Sequence, residues 1–130
     1  MKKQINQVRE FNTAAGRDLP TKKVSLSKHT SIDPVKQLIF LEEELKETTE
    51  ALHNKDLVEV ADGIGDMLYV IFGLVNTLGL DEYIEDIFEE IHNSNMSKFE
   101  NGQPILKNGK VQKGKNYFKP RIVSILMEKK

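Results

Sequence analysis

The sequence predicts an all-α protein, a bundle of four to five helices completed by a short C-terminal β-hairpin. Three observations lead there. Apolar residues recur at helical spacing through residues 35–52 and 57–80. Asp33-Pro34, Asp56, Gly16 and Gly79 stand where such segments should begin or end. Asn108-Gly109 lies between two short apolar-bearing runs, which is a strong hairpin signal. A chain of 130 residues fits one domain, expected over 1–130 with its core at 33–100 and the hairpin and a short helix at 101–130.

Taken in order, a first short helix is expected from Gln4 to Ala15, stopped by Gly16. Residues 16–32 contain Pro20 and several Ser and Thr without a clear period, and read as a loop. Asp33-Pro34 then supplies an N-cap followed by Pro at the first helical position. The second helix should run to about Asn54, with Val35, Leu38, Leu41, Leu45 and Leu52 as its apolar positions. Asp56 opens a third helix, Glu59 follows three residues later as in a capping box, and the helix should reach Leu78. Its second half, MLYVIFGLVNTLGL, is apolar on nearly every side and must be covered all round. A chain this short has little material for that, so a homo-oligomer, dimer or tetramer, is expected with this helix near the interface. Asp81 is expected to cap a fourth helix through about Phe99, with Tyr83, Ile84, Ile87, Phe88 and Ile91 inward. Asn108-Gly109 should form a type I′ turn, and Pro120 can start a C-terminal helix, RIVSILMEKK.

Charge is segregated along the chain. Residues 33–100 hold 17 acids against four bases, residues 101–130 eight bases against one acid, and residues 1–32 seven bases against two acids. The bases are scattered and lack interleaved aromatics or a nucleic-acid module, so no nucleic-acid partner is expected. The apolar run from Leu57 to Leu80 is long enough for a bilayer but carries Glu59, Asp62 and Asp66, which are costly in hydrocarbon; it reads as a buried helix and not a membrane span. The N-terminus lacks the apolar core of a signal peptide, and the absence of cysteine fits a reducing compartment. A cytoplasmic location is expected.

Two acid clusters carry the chemistry. Glu42, Glu43, Glu44, Glu47 and Glu50 lie on the second helix; Glu59, Asp62 and Asp66 share a face of the third at about 100° per residue. The short linker makes the helices an antiparallel hairpin, expected to bring Glu44/Glu47 and Glu59/Asp62 to comparable heights. Converging carboxylates repel one another unless protons or a cation intervene. No Lys or Arg occurs between Lys55 and Lys98 to compensate them. Hard oxygen ligands suit Mg²⁺, or Mn²⁺, and Mg²⁺ leaves coordination positions for water and substrate phosphates. The plainer alternative is a solvated acidic face, with Glu59 only a capping residue.

The pair EEELKE (Glu42 to Glu47) and EVAD (Glu59 to Asp62) resembles the all-α NTP pyrophosphohydrolases, the MazG-like superfamily. The similarity extends over DLVEVADGIGDMLYVIFG. HNSNMSKF and NGKVQKGKNYFKP are similar to a subgroup described as phosphoribosyl-ATP pyrophosphohydrolase-like. The resemblance spans most of residues 33–120. It implies a MazG-like bundle in which Glu44, Glu47, Glu59 and Asp62 bind Mg²⁺, Glu43 activates water, and Asp66 supports them from one turn further on. It implies a nucleoside triphosphate as the small-molecule substrate, split into a monophosphate and pyrophosphate, with phosphoribosyl-ATP as the alternative. Asn95, Lys98, Lys113, Asn116 and Tyr117 are the implied substrate-binding residues, with Phe118 as a second aromatic for stacking. Gly63 and Gly65 depart from the pattern; close helix approach or substrate access is the expected compensation.

Two readings from other classes compete. A di-iron carboxylate bundle would use the Glu50/His53 and Glu89/His92 pairs, with Glu10 and Glu59 as extra ligands. Their positions along the helices disagree, and surface histidines explain both pairs more simply. A non-catalytic helical dimer would use the apolar third helix alone.

Overall fold

The structure, a computed structural model, describes residues 1–26 and 31–128. Part of the loop expected over 16–32, and Lys129 and Lys130 of the expected last helix, lie outside the described residues. Five helices are present: α1 (Lys2–Ala14), α2 (Pro34–His53), α3 (Leu57–Thr77), α4 (Ile84–Met96) and α5 (Ile122–Met127). Two short strands, β1 (Leu106–Lys107) and β2 (Lys110–Val111), pair antiparallel. The fold is thus all-α with one small hairpin. The chain divides into two compact units, Met1–Asp81 and Glu82–Lys130, so the division falls inside the 33–100 stretch.

In the first unit three helices end in the same way. Gly16 (φ 79°) follows α1, Lys55 (φ 55°) follows α2 and Gly79 (φ 67°) follows α3. Each left-handed residue turns the chain so that the next amides reach back to the helix carbonyls: Arg17 N–H to Asn12 O, Asp56 N–H to Ala51 O, Leu80 N–H to Val75 O. At the α2–α3 junction this is very economical. Asp56 closes α2 with its backbone and caps α3 with its side chain, accepting from Glu59 N–H at 3.2 Å. α2 and α3 therefore lie antiparallel across the turn Asn54–Asp56.

Their register is fixed by small and polar groups. A Cβ at Gly63 would collide with the Thr48 hydroxyl, so the two backbones meet there as only glycine permits. Thr48 Oγ1 donates to Glu44 O at 2.7 Å and is turned back onto its own helix. Further along, Gln37 Nε2 donates to Thr77 Oγ1 (2.9 Å), which donates to Gly73 O (2.9 Å). α1 packs on α3 through Ile5 and Val8, both buried, and Asn76 Nδ2 donates to Ile5 O at 3.0 Å. The loop after α1 is held against the end of α3 by Val24 N–H to Leu78 O (3.0 Å) and by Arg9 donating to Pro20 O (3.0 Å).

The expected apolar positions of α2 require correction. Gln37, Thr48 and Ala51 are its buried residues, while Val35, Leu38, Leu45 and Leu52 are 45–63% exposed. Measured around each helix from the contact line, these leucines fall on one flank of the hairpin together with Ile64, Leu68 and Ile71 of α3, also exposed. Glu43, Glu44, Glu47, Asp62 and Asp66 fall on the opposite flank.

In the second unit the fourth helix starts later and ends earlier than expected. Tyr83 is the N-cap residue, without a side-chain bond, and Ser97 is the C-cap. Asp81 does not cap it; its carboxylate faces Arg9 at 3.8 Å. Tyr83 is buried and its hydroxyl donates to Glu128 O (3.1 Å), but Phe88 and Ile91 are exposed, because a six-residue α5 and a short hairpin leave much of α4 uncovered. Ser94 Oγ donates to Phe118 O (2.7 Å) and Phe118 N–H donates to Ser97 Oγ (3.1 Å), fastening the segment after the hairpin to α4. The hairpin itself has Lys107 opposite Lys110, with Asn108 (φ 52°) and Gly109 (φ 75°) both left-handed, as a type I′ turn demands.

The two helical glycines of α3 should respond oppositely to one added methyl group. Gly65 has open space where a Cβ would lie, so Gly65→Ala should stabilise the protein by about 0.5–1 kcal/mol through helix propensity. Gly63→Ala drives a Cβ into Thr48 and should cost about 1–3 kcal/mol. Urea denaturation of both variants checks this; equal shifts would contradict the close approach.

Candidate functional site

Glu44, Glu47, Asp62 and Asp66 form one electrostatic group on the acidic flank of the α2–α3 hairpin. The Glu44 carboxyl is held above its ordinary value, first by its partial removal from water. Asp66, Glu47 and Asp62 then each repel its charge, and a hydrogen bond with Asp66 favours its protonated form. Glu44 is half-buried; Glu43, Glu47, Glu59, Asp62 and Asp66 are exposed. Glu43 lies one turn before Glu47 on the same flank.

The turn sets how the acids of α2 and α3 face one another. With Gly63 opposite Thr48, Asp66 comes level with Glu44 and Asp62 with Glu47. Glu59 lies four residues nearer the turn, about 6 Å along α3, opposite Ala51. It is not among the groups that act on Glu44. A one-turn offset of this kind is invisible in E-x-x-E and E-x-x-D spacing, because it depends on how the turn sets one helix against the other. Asp66 was legible as the repeated acid on the same face, in a supporting place; its facing of Glu44 was not.

Among the described residues no three His, Asp or Glu side chains are gathered tightly enough to clasp an ion as they stand. The donor set nevertheless suits a hard divalent cation. It consists only of carboxylates, three of which push the fourth toward protonation, and none has an ion-pair partner among the described residues. A cation there would relieve the repulsion among these carboxylates.

The expected substrate-binding residues all belong to the second unit. Asn95 is exposed at the end of α4, and Lys98 is half-buried, its carbonyl accepting from Gly114 N–H at 3.0 Å. Asn116 is exposed, and Lys113 Nζ lies 4.9 Å from the centre of the half-buried Tyr117 ring. Arg121 stacks on Phe118 at 4.9 Å, so this second aromatic face is also occupied by a cation. The Glu50/His53 pair lies in the first unit and Glu89/His92 in the second. No helix among the described residues is long and apolar enough to cross a membrane.

On the acidic flank the carboxylates continue into a hollow at Val70 and Gly73, where the apolar continuation of the acidic face leads one to expect a cleft; its aromatic rings are what sequence reasoning missed. A cavity of about 230 Å³ opens between α1, α2 and α3, lined by Phe11, Phe40, Tyr69 and Gly73 among others. Phe11 and Tyr69 meet edge to face, 5.9 Å between centres. Phe40 is one turn from Glu44 on α2, and Tyr69 one turn from Asp66 on α3.

An all-α hairpin thus sets a carboxylate cluster beside an aromatic hollow. A family model described as phosphoribosyl-ATP pyrophosphohydrolase matches residues 8–95, which include α2, α3 and nearly all of α4. The chain belongs to the phosphoribosyl-ATP pyrophosphohydrolase family, part of the MazG-like all-α superfamily, whose members are hydrolases of phosphoric anhydride bonds and generally use divalent metal ions. The chain is also similar to uncharacterized protein L479 of Acanthamoeba polyphaga mimivirus, 27% identical over 106 residues. That match takes in 78% of this chain and 41% of the relative, so the chain spans less than half of the relative's length.

The Glu44 carboxyl supplies a direct test of the cluster. Its raised value in the folded protein means that its ionisation opposes folding above that value, and the penalty is relieved as the pH falls through it. Asp66→Asn removes the largest repelling charge, so the Glu44 titration followed by carboxyl NMR should move down toward the ordinary glutamate range. An unmoved titration would show that the two groups do not interact.

Proposed function

We propose that this protein is a Mg²⁺-dependent pyrophosphohydrolase of a triphosphate-bearing nucleotide, releasing a nucleoside monophosphate and pyrophosphate. The observation that carries this reading is the uncompensated carboxylate group of Glu44, Glu47, Asp62 and Asp66 beside an aromatic hollow, within the family match. Glu44, Glu47 and Asp62 would hold the cation, with Asp66 joining them on geometric grounds and Glu59 serving from nearer the turn. When bound, the ion neutralises and orients the phosphates, and Mn²⁺ would substitute for it.

The protein's own groups do the rest. Glu43 accepts the proton of a water whose oxygen attacks phosphorus; the anhydride bond breaks and pyrophosphate departs with the bonding pair. The aromatic rings of the hollow offer stacking to a base. Asn95, Lys98, Lys113, Asn116 and Tyr117 are the further candidate substrate contacts that the family resemblance implies, and 1–130 would act as one domain. No nucleic acid or membrane partner enters this scheme, and we place the protein in the cytoplasm.

A second, narrower reading has phosphoribosyl-ATP as the substrate, and the family description favours it. The exposed flank formed by Leu38, Leu45, Ile64, Leu68 and Ile71 supports a homo-oligomer, dimer or tetramer, in which these side chains are covered. Sedimentation should give a multiple of the chain mass; a monomer at micromolar concentration would refute the assembly.

Pyrophosphate release from a panel of nucleoside triphosphates and phosphoribosyl-ATP, with Mg²⁺, tests the activity. We expect turnover that chelation abolishes, and a loss of about 10²–10⁴-fold in kcat for Glu43→Gln. Absence of release from every nucleotide, or activity indifferent to Glu47→Gln, would favour a non-catalytic helical protein.

A further inference from the structure

The second unit holds two Asn-Gly pairs, Asn101-Gly102 and Asn108-Gly109, in turns of the same kind. Both asparagines are left-handed (φ 50° and 52°), their glycines follow at φ 73° and 75°, and all four residues are exposed. Glu100 and Gln103 exchange backbone hydrogen bonds across the first turn (2.9 and 2.8 Å), and Lys107 pairs with Lys110 across the second. The turns differ in charge. Asn101 is flanked by the Glu100 carboxylate and a neutral glutamine. Asn108 is flanked by two lysines, neither with a carboxylate partner among the described residues.

An asparagine reacts with its own backbone when the nitrogen of the next residue reaches its Cγ. The five-membered ring that forms lays Cβ and that nitrogen on one side of the Cα–C bond, which corresponds to ψ near about −120°. At the first central position a type I′ turn has ψ of about +30° and a type II′ turn about −120°, with the same positive φ. The two turns interconvert by rotation of the single peptide plane between Asn and Gly, and glycine accepts the φ of either. Both suit a two-residue hairpin. Asn108 therefore reaches the ring geometry while β1 and β2 stay paired through Leu106–Val111 and Lys107–Lys110.

We propose that Asn108 is a site of self-modification, at which the hairpin cyclises through a succinimide to aspartate under the influence of Lys107 and Lys110. Hydroxide takes the Gly109 N–H proton, and the nitrogen bonds to Asn108 Cγ, whose oxygen becomes an oxyanion. The Cγ–Nδ2 bond then breaks, and Nδ2 leaves as ammonia with the bonding pair and a proton from water. Water adds to either ring carbonyl and opens the ring to aspartate or isoaspartate; one water is consumed, one ammonia released, and nothing is oxidised or reduced. The anionic intermediate lies between two ammonium groups at Asn108, whereas the Glu100 carboxylate repels it at Asn101. The aspartate product suits its place, because Asp-Gly forms a type I′ turn as readily as Asn-Gly. Its charge also offsets the direct opposition of Lys107 and Lys110, which is unfavourable in an antiparallel pair.

Peptide mass mapping of the folded full chain, incubated in mildly alkaline low-salt buffer, follows both asparagines in one sample. Amide-to-acid conversion should be about three- to tenfold faster at Asn108 than at Asn101. Lys107→Gln combined with Lys110→Gln, both at exposed positions, should slow Asn108 toward the Asn101 rate and leave Asn101 unchanged. Molar salt should narrow the difference in the unsubstituted chain by screening the lysines. An Asn108 that converts no faster than Asn101, or whose rate ignores both the substitutions and the salt, would overturn the proposal.

Discussion

Like charges on two helices can be brought together only if something else fixes those helices against each other. Here the α2–α3 register does so. Asp56 ends one helix and begins the next, Gly63 admits Thr48 to backbone distance, and the Gln37–Thr77–Gly73 chain of hydrogen bonds holds the far end. Once that register is set, Glu44 faces Asp66 whatever the repulsion costs. The Glu44 carboxyl is accordingly held above its ordinary value, by partial removal from water and then by the neighbouring charges.

The hairpin also has two unlike flanks. One is acidic and leads to aromatic rings; the other is leucine- and isoleucine-rich and largely uncovered. α1 and the loop behind it pack on α3 so that Val8, Phe11 and Arg17 join the acidic flank. One side of the hairpin thus carries carboxylates beside aromatic rings, and the other exposes leucine and isoleucine. The second unit contributes a separate feature: Ser94 and Ser97 pin the segment that carries Lys113, Asn116 and Tyr117 onto α4.

Much of this could be read from residue order. Asp33-Pro34 and Asp56 marked helix starts that the structure bears out, and Gly16, Gly79 and Asn108-Gly109 marked the turns. Local chemistry decides such points, so local sequence reveals them. Asp81 misled because a good cap residue is also a good ion-pair partner, and Arg9 lies 72 positions away. The leucines of α2 misled in the same way: helical spacing identifies an apolar face without saying that this chain covers it. The facing of Glu44 by Asp66 depends on long-range register that no spacing rule contains.

The family assignment makes hydrolysis of a phosphoric anhydride the expected chemistry, but the physical account stands on one shared cation. Enhancement of water-proton relaxation by Mn²⁺ measures its binding directly, without substrate or turnover. The account predicts saturable binding to the unsubstituted chain, sharply weakened in Glu47→Gln and in Asp66→Asn, and competed by Mg²⁺. Binding of equal strength in all three proteins would mean that these carboxylates hold no common ion, and the proposed site would fall.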